Sequence, residues 1–249
     1  MGGMMVDVQK GELLHEGKGK RVHSVLGDRD LCWVEFKDAL TAFNAQKTGS
    51  FAGKGRLNCE IATQIFQHLQ ASNVLTHWVS ELSPTEMLVE KLQIVPLEVV
   101  MRNFLAGSTA KKFGLSEGRP LQRPLLEFFY KSDELGDPFI NDEQALMMGA
   151  VAHQKDLEKI KQEAYKVNDI LQDLFRRAGI ELVDFKMEFG WNSRGDLLLG
   201  DEISPDSCRL WDQKTGKKLD KDRFRKDLGG VKEGYQEVKD RLQTVREAL

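Results

Sequence analysis

Apolar residues recur every three or four positions along two stretches of this chain and alternate with polar residues along several others. Leu57, Ile61, Ile65 and Leu69, with Ala62 and Phe66 beside them, form a stripe that predicts a helix. A longer stripe through Leu157, Ile160, Ala164, Val167, Leu171 and Leu174 predicts an amphipathic helix, with Gly179 placed to end it. The tail from Lys232 onward reads as a closing helix. Strands are predicted over Lys20–Val25 and Leu31–Phe36, around the turn Gly27-Asp28-Arg29-Asp30. Further strands are expected over Val74–Val79, Met87–Leu92 and Leu97–Arg102, and on both sides of the turn Asn192-Ser193-Arg194-Gly195. Pro96, in Ile94-Val95-Pro96, disfavours a continuing central strand and divides the chain into lobes at 1–95 and 96–249. Strands and helices are interspersed without strict βαβ order, so the fold class is α+β, in two lobes sharing a cleft.

One strand carries charge on a single face. In Leu182–Phe189, Val183, Phe185, Met187 and Phe189 point one way, and Asp184, Lys186 and Glu188 the other. Strand geometry spaces neighbours on that face by about 7 Å. Taken alone, the face reads equally well as a solvated row of mutual salt bridges. The following run, Leu197-Leu198-Leu199-Gly200-Asp201-Glu202-Ile203, changes the balance. Strand alternation puts Asp201 on a face with Leu197, Leu199 and Ile203, and a carboxylate there needs a cation, a metal or hydrogen-bond donors. A hairpin joining Glu188 to Asp201 suits Mg²⁺, which takes a few carboxylate oxygens together with phosphates and water. An Asp201–arginine pair is the other reading.

The 249 residues are 41% hydrophobic and 30% charged, with a formal net charge of -3, enough for a sizeable core and a soluble surface. The signs are mixed along the chain, which argues against the basic footprint of a nucleic-acid partner. No apolar run is long enough to span a membrane, and Met1–Asp7 has neither the basic nor the apolar part of a signal peptide. Cys32, Cys59 and Cys208 lack metal-ligand spacing and are expected to be reduced packing residues, so the expected compartment is cytoplasmic. His15, His23, His68, His77 and His153 show no metal pattern, and no serine has a nucleophile-elbow context.

Several segments, in order along nearly the whole chain, resemble the SAICAR synthetase (phosphoribosylaminoimidazole-succinocarboxamide synthase) family. The clearest are Leu182–Gly190 and Ile94–Arg102 continuing through Asn103 to Ala106-Gly107-Ser108. Gly17-Lys18-Gly19-Lys20, Lys54-Gly55, Tyr130-Lys131 with Asp137-Pro138, Gly200–Asp212 and Asp220-Lys221-Asp222 complete the series. Cys208, where a small residue is common, and the variant loop Thr41-Ala42-Phe43-Asn44 depart from the pattern and leave the surroundings of Asp38 open.

The resemblance implies an ATP- and Mg²⁺-dependent ligase of purine biosynthesis, joining the carboxylate of the ribonucleotide CAIR to the amino group of L-aspartate. It implies a homodimer, an N-terminal lobe covering the nucleotide, and metal and CAIR sites in the C-terminal lobe. Lys18, Lys20 and Lys131 are then expected at the nucleotide, with an acceptor around Glu90–Gln93. Glu188 and Asp201 are expected at Mg²⁺ and the phosphates, and Lys186 at the transferring phosphoryl group or the substrate carboxylate. Asp184 would orient Lys186 or touch CAIR. Arg102, Ser108 and Arg209 belong at the CAIR end, with Asp206 nearby, since a guanidinium fork matches phosphate and carboxylate. Asp137 is read as reaching a metal or the attacking amine, or as a turn former. Asp38 and Lys54 have a family position and no independent argument. A small-molecule kinase or a nucleotide sensor that never turns over are the rival functions.

Overall fold

The computed structural model describes residues 8–42 and 46–247. The Met1–Asp7 opening and Phe43-Asn44 of the Asp38 loop lie outside them. Strands β1 (Lys10–Glu16), β2 (Lys20–Val25) and β3 (Asp28–Phe36) form an antiparallel meander. β1 has no alternation to read, because nearly all its residues are exposed. The small hairpin β4 (Ala39–Ala42) and β5 (Lys47–Ser50) leads into α1 (Lys54–Ala71), which buries the predicted stripe. β6 (Trp78–Ser83) and β7 (Glu86–Glu90) complete a sheet in the order β1-β2-β3-β7-β6. The strand expected over Val74–Val79 is displaced: Val74 packs into the core, Thr76 makes only an isolated bridge to Leu199, and regular pairing begins at Trp78.

The next strand, β8 (Gln93–Ile94), already belongs to a second sheet. Its other members are β9 (Leu97–Phe104), β10 (Pro120–Tyr130), β11 (Phe139–Ile140), β12 (Ile180–Trp191), β13 (Leu197–Gly200) and β14 (Cys208–Asp212). Between them run α2 (Gly107–Lys112), α3 (Asp142–Met147) and α4 (Gln154–Arg177), and α5 (Asp222–Arg225) and α6 (Val231–Glu247) close the chain. The sheet order is β11-β10-β9-β12-β13, with β8 and β14 also paired to β12. β10 hides from pattern reading because Pro120 and Pro124 interrupt it, and its pairing with β9 shifts register between Pro120 and Leu125.

The central strand β12 keeps its predicted alternation from Asp184 to Phe189. A register shift between Leu182 and Asp184 breaks it at Val183, so that Leu182, not Val183, joins the core cluster. Phe185, Met187 and Phe189 are buried in an apolar cluster that also holds Ile61 and Phe66 of α1 and Leu171 of α4. That cluster is continuous beneath both sheets, so the cleft between them has a rigid floor. α4 ends as expected: Gly179 takes φ +68° and donates its N–H to the Arg176 carbonyl at 3.0 Å. α6 packs against α1, bringing the last helix beside the first. No helix among the described residues is long and apolar enough to cross a membrane.

Candidate active site

Two adjoining cavities, of about 770 Å³ and about 360 Å³, share Lys18, Lys186, Asp206, Ser207 and Lys221 along a common seam. The larger has an apolar wall that includes Val22, Val34, Val89, Leu92 and Ile94, and a charged end formed by lysines and carboxylates. The smaller is lined by Arg102, Asp137, Asp184 and Arg209. The candidate residues line one cavity or the other except Asp38, Lys54 and Ser108, and the Ser108 hydroxyl accepts from Arg102 Nη2 at 3.0 Å.

At the lysine end, the charged face of β12 meets residues from both sheets. Lys186 Nζ lies 3.0 Å from Glu98, 3.0 Å from Glu188 and 3.8 Å from Asp201. Lys131 pairs with Glu188, and Lys20 pairs with Asp201 and lies 3.2 Å from Glu202. Glu188 and Asp201 therefore converge on Lys186. Glu188 pairs with Gly200 across the β12–β13 hairpin, so Asp201 follows one residue on. Strand alternation does not place it. Asp201 lies past the end of β13 at φ +57°, a left-handed conformation that a short polar side chain tolerates better than most. Its compensating cations are lysines, not an arginine.

Burial disfavours the Lys186 ammonium, but Asp201, Glu188 and Glu98 override it and raise its pKa well above the ordinary value. Lys20 is raised in the same way by Asp201 and Glu202 against burial. Burial would push the Asp201 carboxyl up, yet Lys20 and Lys186 hold it well below the usual carboxylate range. These groups are all ionised at neutral pH. Lys18 is more exposed, reaching Asp133 at 3.5 Å. His77 lines the apolar wall, where burial, then Lys20, pulls its pKa down to about 4. Glu90 pairs with Arg194 at the rim.

At the other end, Asp184 stands between two arginines, for Arg102 on β9 and Arg209 on β14 are its register partners on either side. Asp184 Oδ2 accepts from Arg102 Nη1 at 2.6 Å and from Arg209 Nη1 at 2.9 Å. Glu127 holds Arg102 Nε at 2.6 Å, and Asp222 holds Arg209 Nε at 3.1 Å. Asp184 thus orients arginines; Lys186 is oriented by Glu98 and Glu188, which corrects one expectation for Asp184. Gly107 is required here: at φ +61°, a Cβ on it would lie 2.5 Å from Arg209 Nη1. Asp137, at φ +50°, accepts the Ser132 N–H through Oδ1 at 2.9 Å, so it forms a turn and lines the smaller cavity as well.

Asp206 sits on the seam, held by Lys54 Nζ at 2.6 Å and by the Tyr235 hydroxyl at 2.6 Å, both partners fully buried. Asp38 accepts the N–H groups of Gly53 and Gly55 at 3.1 and 2.9 Å and so fixes the start of α1. Sequence reasoning missed Glu98, although Glu98, Val100 and Arg102 alternate on β9 as Asp184, Lys186 and Glu188 do on β12. It also missed Glu127, Glu202, Tyr235 and Arg225. For Tyr235, no local pattern distinguishes a helix residue facing a carboxylate from one facing apolar core.

The donor set can be tested against a metal. Among the described residues, no three His, Cys, Asp or Glu side chains gather as a metal site. Glu188 and Asp201 offer two carboxylates at the edge of a cavity, which fits Mg²⁺ arriving with nucleotide phosphates and does not fit a resident all-protein site.

Comparison with known proteins points one way. The SAICAR synthetase family model matches residues 13–242. The phosphoribosylaminoimidazole-succinocarboxamide synthases of Wolinella succinogenes and Campylobacter curvus are 50% and 52% identical over 235 residues, covering 94% of this chain and 99% of each relative. The crystal structure of the same-named synthase from Ehrlichia chaffeensis has a TM-score of 0.90 at 44% identity, covering 93% of this chain and 98% of that one. A SAICAR synthetase solved in complex with ADP has a TM-score of 0.89 at 44% identity, covering 93% and 97%.

Proposed function

The chain belongs to the SAICAR synthetase family, and from that premise we propose how its residues divide the work. It is an ATP-dependent carbon–nitrogen ligase of purine biosynthesis, joining the carboxylate of CAIR to the amino group of L-aspartate to give SAICAR, ADP and phosphate. The observation that carries the division is Lys186, held among three carboxylates where the two cavities meet.

The larger cavity takes ATP: its apolar wall suits the base, and Lys18, Lys20 and Lys131 receive the phosphates. Glu188 and Asp201 would hold Mg²⁺, which when bound supplies charge neutralisation and phosphate alignment. Lobe 1–95 covers the nucleotide, and lobe 96–249 carries the metal and CAIR sites. The smaller cavity takes CAIR. Arg102 and Arg209 present their forks to its anionic groups, Ser108 steadies Arg102, and Asp184 locks both arginines.

A carboxylate resists amine attack because its leaving group would be oxide. A CAIR carboxylate oxygen attacks the γ-phosphorus as the bond to the ADP oxygen breaks, giving an acyl phosphate and ADP. Lys186 stabilises the charge on the oxygens in motion. The neutral amine of aspartate then attacks the acyl carbon, and phosphate leaves. Asp137 and Asp206 both line the smaller cavity, where that amine must lose its proton. The enzyme works in the cytoplasm as a homodimer, consistent with three buried free cysteines and with the family.

The test incubates protein, Mg-ATP and CAIR with and without aspartate and follows ADP and the amide by mass. ADP and SAICAR should both appear with aspartate present, and EDTA should abolish both. ADP with a phosphorylated product and no amide would indicate a kinase. Absence of ADP would indicate a sensor, and either outcome overturns the reading.

A further inference from the structure

One buried lysine reaches the seam that joins the two cavities, and no step of the reaction uses it. Among the described residues Lys54 is the one lysine that is wholly buried, and it begins α1. Both facts disfavour it. A buried ammonium is costly without a partner, and the first turn of a helix repels a cation. No acidic residue in that turn offsets the charge. Lys54 Nζ lies 2.6 Å from Asp206 Oδ2, and among the described residues no other carboxylate is within ion-pair distance. A Cβ on Gly19 would come 3.9 Å from the same nitrogen, so Lys54 sits against the Gly-Lys-Gly-Lys run that lines the larger cavity.

Asp206 is also held by the C-terminal helix. Tyr235 on α6 is wholly buried, packs edge-on against Phe51 at 5.6 Å, and donates its hydroxyl to Asp206 Oδ1 at 2.6 Å. Burial, and then the Asp206 anion, push that hydroxyl well above its ordinary range, so it stays protonated. Burial would push the Asp206 carboxyl up, yet Lys221 and Lys54 hold it below the usual carboxylate range. Each oxygen thus has its own donor, one from α1 and one from α6. Asp206 itself lies in the segment between β13 and β14 and lines both cavities. Three elements far apart in sequence converge to fix one anion on the wall of the cleft, and a purely structural ion pair needs no opening to that cleft.

We propose that Lys54 and Tyr235 are positioning residues for amide formation, fixing Asp206 as the anion that meets the attacking nitrogen. The assignment rests on the ligase reading and deepens it. As the neutral amine attacks the acyl phosphate, the C–N bond forms and the C–O bond to phosphate breaks. The nitrogen carries positive charge until it loses a proton, which leaves on the released phosphate as hydrogen phosphate. Asp206, with both oxygens already accepting from donors, is a weak base and acts by its charge. An anion of fixed direction beside the nitrogen stabilises the addition. Without Lys54 or Tyr235, Asp206 loses that direction, and water competes for the acyl phosphate.

The experiment compares Tyr235→Phe and Lys54→Met with the wild-type enzyme at saturating Mg-ATP, CAIR and aspartate, following ADP and SAICAR by mass. The wild type should give ADP and SAICAR in equal amounts. Loss of one charge-assisted hydrogen bond should lower kcat for SAICAR about tenfold to hundredfold in each variant. Each should also release more ADP than SAICAR, as water intercepts the acyl phosphate. CAIR and Mg-ATP affinities, measured by equilibrium binding without aspartate, should move less than about threefold. Should Lys54→Met fail to fold, Tyr235→Phe, which loses one oxygen and keeps its ring against Phe51, carries the same readout. ADP and SAICAR falling together in equal amounts would make the clamp structural and overturn the proposal. Weakened CAIR binding with the two products still equal would assign Asp206 to the ribonucleotide and overturn it as well. Wild-type protein that makes no amide would overturn the ligase reading and the proposal together.

Discussion

At the arginine end of the cleft, Asp184 bridges Arg102 and Arg209 at 2.6 and 2.9 Å, with Asp184 and Arg102 almost wholly buried. At the lysine end, Lys186 faces Glu98, Glu188 and Asp201 at 3.0, 3.0 and 3.8 Å, and its side chain keeps 30% exposure. Planar forks locked to a shared carboxylate have fixed directions, so in the proposed division the arginine end is the preformed receptor for an anion of fixed shape. Ammonium groups are point charges that swap partners at little cost. The lysine end can therefore release its carboxylates toward a metal and take phosphates in exchange. On the proposed reading, one end recognises and the other rearranges with the chemistry.

The strongest way to break this contrast is Lys186→Met. Loss of a positioned charge at the transferring group should lower kcat by about 100- to 1,000-fold, while CAIR binding stays within about threefold. A variant that loses CAIR affinity and keeps kcat would merge the two ends. Next comes Asp184→Asn, which leaves two arginines sharing too little negative charge. Urea unfolding should show a loss of about 3–5 kcal/mol together with weaker CAIR binding. Unchanged stability would mean the arginine end is not locked.

Acid should act first on the lysine end. His77 titrates near 4 in the folded protein against about 6.5 unfolded. Between those values the unfolded chain binds a proton that the folded one does not. The contribution is complete above pH 6.5 and is lost as pH falls towards 4, amounting to about 3 kcal/mol. Asp201, held below its ordinary value, adds a further loss below about pH 4. Urea melts across this range should show that slope, and His77→Gln should flatten it above pH 4. The smallest effect is expected at Lys18. Its pair with Asp133 is exposed, so Lys18→Ala should change stability by less than about 0.5 kcal/mol.

The contrast was only half legible in the chain. Alternation placed Asp184, Lys186 and Glu188 on one face of β12, and the apolar stripes located α1 and α4, because those signals are local and periodic. Asp201 was singled out for the wrong reason: its position comes from a left-handed residue after β13, which parity cannot foresee. Partners were harder still. Asp184 meets Arg209 across a register shift between Leu182 and Asp184, and Lys54 meets Asp206 across the packing of separate elements. Such pairings depend on register and helix docking, which hydrophobic pattern alone does not specify. Glu98 is the exception, since its alternation with Arg102 was there to be read.

The central claim is that the lysine end carries phosphoryl transfer onto the carboxylate of a ribonucleotide held at the arginine end. CAIR labelled with oxygen-18 in its carboxylate tests it directly. Turnover with Mg-ATP and aspartate should release phosphate carrying one labelled oxygen, as the acyl phosphate passes that oxygen on when the amine displaces it. Unlabelled phosphate, with the amide still formed, would contradict it.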